Sequence, residues 1–211
     1  MIFCRKRQAS MAIARTEPGS KWHKTPLCYP ASIYLPITYH LSPITILEIG
    51  SGRGDFLFYL AENNPNNEII GIELKSRRYF KLIDRVIERG LKNVKVIQAD
   101  GREAVAGGLA PESLDEIHVN FPDPWPKRKH TKNRLLSKEF ARNCKVILKK
   151  GGFLSFITDS KDYADAVFKE SSKIEGFKFS REENASVFPT FFAQKWLKDG
   201  RKFYMMKWIR S

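Results

Sequence analysis

From residue 44 onward the apolar positions fall into two alternating rhythms. Residues 44–49 (ITILEI) form a short β-branched run that stops at Gly50, which predicts a buried strand followed by a turn. Residues 55–62 then place Phe56, Leu57, Leu60 and Ala61 on one helical face. The same alternation continues. Strands are expected at 68–74, 94–98, 114–120 and 153–158. Helices are expected at 76–89, around 102–106, at 134–149 and at 162–173. Gly90 stops one of these helices, and the pair Gly151-Gly152 is expected to end another. Residues 174–211 show no long helical pattern, and 177–180 and 203–209 read as two strands. Strands alternating with helices imply a mostly parallel sheet covered on both faces, and the closing pair of strands implies an antiparallel finish. Residues 1–43 hold Pro18, Pro26, Pro30, Pro36 and Pro43 without a sustained period, so they are expected to form an irregular, basic arm preceding a domain of 44–211.

Composition narrows the class. A chain of 211 residues with 42% hydrophobic and 28% charged side chains suits one globular domain with a real core. No apolar run approaches the ~18–20 residues of a membrane helix, so no membrane association is expected. Cys4, Cys28 and Cys144 are odd in number and far apart, which predicts neither a disulfide framework nor a metal site. Arg5, Lys6 and Arg7 are not followed by a leader-like apolar run, so a cytoplasmic setting is expected. Both a monomer and a homodimer fit the sequence.

The net charge of +14 changes the picture once it is divided. Residues 44–123 carry ten basic and thirteen acidic side chains, whereas 124–150 carry ten basic and one acidic. A positive block beside a mildly acidic one suits an enzyme acting on a polyanion.

The acidic segment holds the first candidate chemistry. Gly50-Ser51-Gly52-Arg53-Gly54 joins the first strand to its helix, and three alternate glycines let the backbone turn sharply and approach a ligand. The spacing is GxGxG, unlike the dinucleotide fingerprint, and no P-loop lysine follows. Glu48 precedes the glycines, Glu73 ends the next strand, where a carboxylate can take ribose hydroxyls, and Asp100 ends the third. Several carboxylates disfavour a pyrophosphate and favour a cationic nucleoside such as S-adenosylmethionine.

The second candidate lies after residues 114–120. Asn120-Phe121-Pro122-Asp123-Pro124-Trp125-Pro126 places three prolines in five residues, which fixes the backbone. Asp123 can accept hydrogen bonds from a guanine edge, and Trp125 suits either base stacking or core packing. Lys127, Arg128, Lys129, His130, Lys132 and Arg134 follow, and Lys138, Arg142, Lys145 and Lys149 are expected to share a helical face. Together they are expected to line a phosphate-binding surface leading into the site. His118, inside a strand, is expected to be structural.

These residues together resemble the bacterial tRNA (guanine-N7-)-methyltransferase family, through LEIGSGRGDF, GIELK, the Asp of QADG, NFPDPWPKRKH and Thr158-Asp159. The resemblance covers roughly 44–210. It implies a Rossmann-like class I methyltransferase fold with a mostly parallel seven-stranded sheet, helices on both faces and an antiparallel final strand. It implies S-adenosylmethionine as methyl donor, tRNA as partner, no metal, and transfer to N7 of guanosine 46 in the variable loop. By that likeness Glu48, Gly50, Gly52, Gly54, Glu73, Asp100 and Asp123 bind the cofactor. Asp123 is also catalytic, and Lys127, Asp159 and Thr190 meet the substrate. Arg128, Lys129, His130, Lys132 and Arg134 are RNA-contact candidates. The chain departs from the family pattern at Ala193, where a glutamate is usual, at Lys132-Asn133-Arg134, and throughout 1–43. An amino-group methyltransferase and a non-catalytic RNA-binding member of the fold are the competing readings.

Overall fold

The computed structural model describes residues 12–14, 44–185 and 190–211. In chain order it contains β1 (Ala12–Ala14), β2 (Thr45–Ile49), α1 (Asp55–Asn63), β3 (Glu68–Glu73), α2 (Ser76–Glu88) and β4 (Val94–Gln98). A short α3 (Gly101–Glu103) continues into a π turn at Ala104–Gly108, followed by β5 (Leu114–Asn120) and a 3-10 segment at Arg128–Asn133. The remaining elements are α4 (Lys138–Ile147), β6 (Leu148–Thr158), α5 (Lys161–Ser171), β7 (Phe177–Glu183), α6 (Phe191–Lys198) and β8 (Tyr204–Arg210).

The strands form one sheet in the order β1-β4-β3-β2-β5-β6-β8-β7. β2 to β6 are mutually parallel, whereas β8 runs antiparallel between β6 and β7. The seven strands from residue 45 onward match the expected architecture, including its antiparallel finish. The short β1, inside the segment expected to be irregular, adds an antiparallel edge beside β4.

Both faces of the central strands are covered, which is why every residue of β2 is buried, Thr45 and Glu48 included. On one face Ile46, Ile69, Val94 and Val96 pack with Leu57 and Phe58 of α1 and with Tyr79, Leu82 and Val86 of α2. On the other, Leu47, Ile70, Ile117 and Val119 pack with Phe140, Ala141, Cys144, Tyr163 and Val167 of α4 and α5. Strand order reverses at β2, with β3 and β4 to one side and β5 and β6 to the other. The carboxyl ends of β2 and β5 therefore frame the crevice where open parallel sheets place their ligands.

Three expectations shift. The helix foreseen at 134–149 occupies only Lys138–Ile147, because Ser137 caps it by accepting from the Phe140 amide at 3.2 Å. Gly151-Gly152 does not end that helix but lies within β6, where the ladder to β5 is irregular between Leu114 and Glu116. A Cβ on Gly152 would stand 2.7 Å from the Asp115 carbonyl oxygen, so the close strand approach requires glycine. In the last segment α6 appears between the two foreseen strands, capped by the Thr190 hydroxyl, which accepts from the Ala193 amide at 3.1 Å. Among the described residues no helix is long and apolar enough to cross a membrane.

Candidate active site

The glycine loop leaves β2 with Gly50, Gly52 and Gly54 at φ +84°, +56° and +82°. The amides of Gly50 and Ser51 both donate to the Ile72 carbonyl, at 2.8 and 3.1 Å, which ties the loop to the end of β3. A Cβ on Gly50 would meet nothing within 4 Å, so the loop backbone faces open space. Gly54 is constrained for another reason. A Cβ there would lie 2.6 Å from both Leu82 and Phe58, so it lets α1 dock closely on α2.

Glu73 is buried and uses both carboxylate oxygens. One accepts from the Gly52 amide at 2.9 Å, the other from the Lys75 amide at 2.8 Å. Each carboxylate oxygen accepts more than one bond, so capacity remains for a ligand. Asp100 caps α3, accepting from the Arg102 amide at 2.8 Å.

Glu48 is the most perturbed group of the site. It is 4% exposed, and its Oε2 has no hydrogen-bond partner among the described residues. Burial pushes its carboxyl up to about 7. The Ser51 and Asn120 side chains act in the opposite direction, and the charges of Asp55 and Glu73 add to the rise. A buried carboxylate oxygen without a donor, beside an open glycine loop, suits a ligand bearing an ammonium group. That orphaned atom, the open loop and the spare capacity of Glu73 fit the cationic nucleoside foreseen from the sequence.

Across the crevice, β5 runs into the proline loop. Phe121 and Trp125 have φ +49° and +43°, and each precedes a proline, which ordinarily holds such a residue in extended backbone. Left-handed non-glycine residues cost ~1–3 kcal/mol each and persist only where the surroundings enforce them. The Phe121 amide donates to the Ile157 carbonyl at 2.8 Å, and its ring meets Trp196 and Phe203 edge-on at 5.0 and 5.2 Å. The Arg134 Nε donates to the Pro124 carbonyl at 2.9 Å, and its guanidinium lies 4.8 Å over the Tyr163 ring. The Tyr163 hydroxyl accepts from the Leu136 amide at 2.8 Å, so the brace is itself anchored. The loop thereby presents Asp123 to solvent, with no hydrogen bond or ion pair to the described residues.

The other candidate residues separate by role. Lys127, Arg128, Lys129 and Lys132 are exposed beside the loop, and the His130 ring lies 5.8 Å from Trp125. Arg134 is turned inward, ion-paired to Asp162 and 9% exposed, so it braces the loop rather than presenting a contact to RNA. Asp159 pairs with Arg201, whose guanidinium covers Trp196 at 5.4 Å. Thr190 is occupied as a helix cap, and Ala193 is fully buried. The basic stripe along α4 is shorter than expected. Lys149 lies in β6 and pairs with Asp115, and Lys145 donates to the Glu175 carbonyl. Because β6 begins directly after α4, that end of the helix sits at the edge of the sheet away from the crevice. His118 pairs with Glu116 at 2.8 Å and packs between Phe56 and Phe153, consistent with a structural role. Sequence alone assigns no role to Ser51, Asn120 or Arg201. Asn120 opens the proline motif and Ser51 lies between the glycines, whereas Arg201 carries no local signal.

Residues 42–206 match the model of a family described as "Putative methyltransferase". The chain belongs to this family. Curated relatives include a tRNA (guanine-N(7)-)-methyltransferase of Thermus thermophilus, 33% identical over 78% of this chain and 53% of the relative. A protein of the same name from Streptococcus suis is 39% identical over 61% of each chain. One from Nitrosomonas eutropha is 41% identical over 56% of this chain and 53% of its own length. The matched region thus spans little more than half of these relatives. Among solved structures, a SAM-dependent methyltransferase from Aquifex aeolicus superposes with TM-score 0.57 at 16% identity, covering 80% of this chain and 82% of its own. TrmN from Thermus thermophilus superposes with TM-score 0.60 at 16% identity, over 80% of this chain and 44% of its own. At such identity these likenesses establish the fold, a Rossmann-like methyltransferase architecture.

Proposed function

We propose that the chain is a tRNA (guanine-N7-)-methyltransferase that uses S-adenosylmethionine and methylates guanosine 46 of the variable loop. The observation that carries this reading is the crevice itself. Buried Glu48, one of whose carboxylate oxygens has no partner among the described residues, stands on one wall, and Asp123, unpaired among the described residues and held on a braced and strained loop, on the other. The sequence likeness to relatives bearing that name supports the choice of substrate. Residues 44–211 form the catalytic unit in this reading, 1–43 an arm, and the cytoplasm is the setting.

When bound, S-adenosylmethionine supplies a methyl group on a sulfonium. Glu48 takes the ammonium end of such a ligand, Glu73 its ribose hydroxyls and Asp100 its adenine edge. The glycine loop gives the backbone close approach. Guanine N7 offers a lone pair and has no proton to lose, so the chain needs no strong general base. Its task is alignment, the source of a large share of rate enhancement in group transfer. Asp123 accepts hydrogen bonds from the guanine edge and orients the base. Trp125 and the prolines keep the pocket shape, while Lys127, Arg128, Lys129 and Lys132 hold phosphates. Phosphate contacts offset the few kcal/mol of unstacking the base.

The test is to incubate the protein with methyl-labelled S-adenosylmethionine and unmodified tRNA, digest the RNA and locate the label. Label in 7-methylguanosine at position 46 is expected, and label on an exocyclic amine rejects the reading. Ala193 gives a non-catalytic member of the fold one supporting observation, since the usual carboxylate is replaced by a buried methyl. Cofactor and tRNA binding by calorimetry without any label would favour that alternative. Asp123→Ala is expected to lower turnover at least a hundredfold while tRNA binding persists.

A further inference from the structure

Segment 44–123 is mildly acidic as a whole, yet residues 75–89 within it carry six cations against Asp84 and Glu88. Arg77, Lys81 and Arg85 follow one another at four-residue spacing along α2, and Arg78 lies beside them. They occupy the outer face of the helix, opposite the buried Tyr79, Leu82, Ile83 and Val86. Arg77, Arg78 and Lys81 are exposed and have no ion pair among the described residues. Several other cations are ion-paired, Arg89 with Glu62, Lys95 with Glu68, Arg181 with Asp165 and Arg210 with Glu112. Like charges one helical turn apart repel, so an unmatched row costs stability unless a ligand uses it. No acidic side chain occupies the first turn of α2, which leaves the positive end of its dipole uncompensated.

The row also has a built wall. The Arg85 guanidinium donates to the Arg53 carbonyl and lies 4.8 Å over the Phe58 ring, which fixes α2 against the glycine loop. Between them runs a groove of about 590 Å³ lined by Gly52, Arg53, Arg77, Arg78, Lys81 and Arg85. Phe80, 56% exposed, stands at the margin of the cations, a placement suited to an unstacked base. α2 packs on the sheet face opposite α4, so this groove and the cations at 127–132 flank the crevice from different sides.

We propose that the groove between the glycine loop and α2 holds backbone phosphates of the same RNA whose guanosine enters the crevice. Guanidinium groups suit the fork geometry of phosphate oxygens. An open groove on the outside of a helix, with a row of cations and an exposed aromatic ring, fits a strand passing over it better than one small anion. The proposal rests on the reading of the chain as a tRNA-modifying enzyme.

The experiment uses the full chain and the triple variant Arg77→Gln, Arg78→Gln, Lys81→Gln, with unmodified tRNA binding measured across a salt series. Glutamine keeps helix propensity, and unchanged S-adenosylmethionine affinity reports that the fold is intact. The variant is expected to bind tRNA roughly 10–100-fold more weakly at low salt. The slope of log affinity against log salt is expected to fall by about two to three. If the wild type binds and methylates tRNA and the variant keeps its affinity and slope, the groove proposal is overturned and the functional reading stands. If the wild type binds no tRNA, both fall. If the substitutions abolish binding of inorganic phosphate but spare tRNA, the groove is a small-anion site and the proposal fails.

Discussion

Glu48 sets stability against ligand binding. Its carboxyl is pushed up to about 7 by burial, so the fold favours the protonated form. The stability this group contributes is full below the ordinary carboxylate range and lost as pH rises through about 7. The shift corresponds to at most about 3 kcal/mol. Glu48→Gln removes the titration. Chemical denaturation at pH 5 and pH 8 should show the variant gaining on the wild type as pH rises. A ligand ammonium favours the ionised carboxylate, so the binding of S-adenosylmethionine should release a proton below pH 7 and tighten as pH climbs. Calorimetry in buffers of different ionisation enthalpy reads this directly, and equal proton release by the glutamine variant would remove Glu48 from the ligand. Gly54 makes a plainer prediction. Gly54→Ala places a methyl 2.6 Å from Leu82 and Phe58 at φ +82°, so both strain and overlap oppose it. A loss of about 2–4 kcal/mol is expected from denaturant midpoints.

The proline loop is governed by elements that its own sequence does not name. Its aromatic residues take left-handed backbone only because β6, α6 and the Arg134 brace surround them. Arg134→Ala should therefore lower kcat roughly tenfold, about 1.4 kcal/mol, with cofactor affinity unchanged. Asp162→Ala, which removes only the 78% exposed partner of Arg134, should change kcat less than twofold. Steady-state kinetics at saturating cofactor separates the two. The same loop marks what was legible in the sequence. β4 and β5 and the edges of α1 and α2 follow from periodicity and from Gly50 and Gly90, since each element buries one stripe or two faces. The convergence of Glu48, Glu73 and Asp123 on one crevice was legible because strand ends meet at one edge of a parallel sheet. The inward turn of Arg134 was not, because a basic run looks the same whether a guanidinium faces RNA or a carbonyl ten residues back. Nor was the start of β6 at Leu148. Its pairing with Leu114 is a long-range contact, and it overrides the helical pattern that carries Lys149.

Across the molecule, charge is sorted around the crevice rather than divided into an acidic half and a basic half. The carboxyl groups of Glu48 and Glu73 are buried in the crevice, while exposed cations stand on both flanks, at 127–132 and along α2. The sheet lies between the two flanks, so cations stand on both sides of the crevice mouth while the carboxyl groups of Glu48 and Glu73 line its floor. A cationic nucleoside held by the floor exchanges few counterions, whereas a polyanion bound at the mouth releases many. Raising salt from 50 to 200 mM should thus weaken tRNA binding by at least a hundredfold and change S-adenosylmethionine affinity less than twofold. Neutralising Arg128, Lys129 and Lys132 should reduce the slope for tRNA alone, and combining that change with the α2 substitutions should reduce it additively, because the two clusters share no side chain. Parallel salt titrations of tRNA and cofactor on the four proteins measure this. A cofactor affinity that falls as steeply as the RNA affinity would place the cations in the cofactor pocket and reject the sorted arrangement.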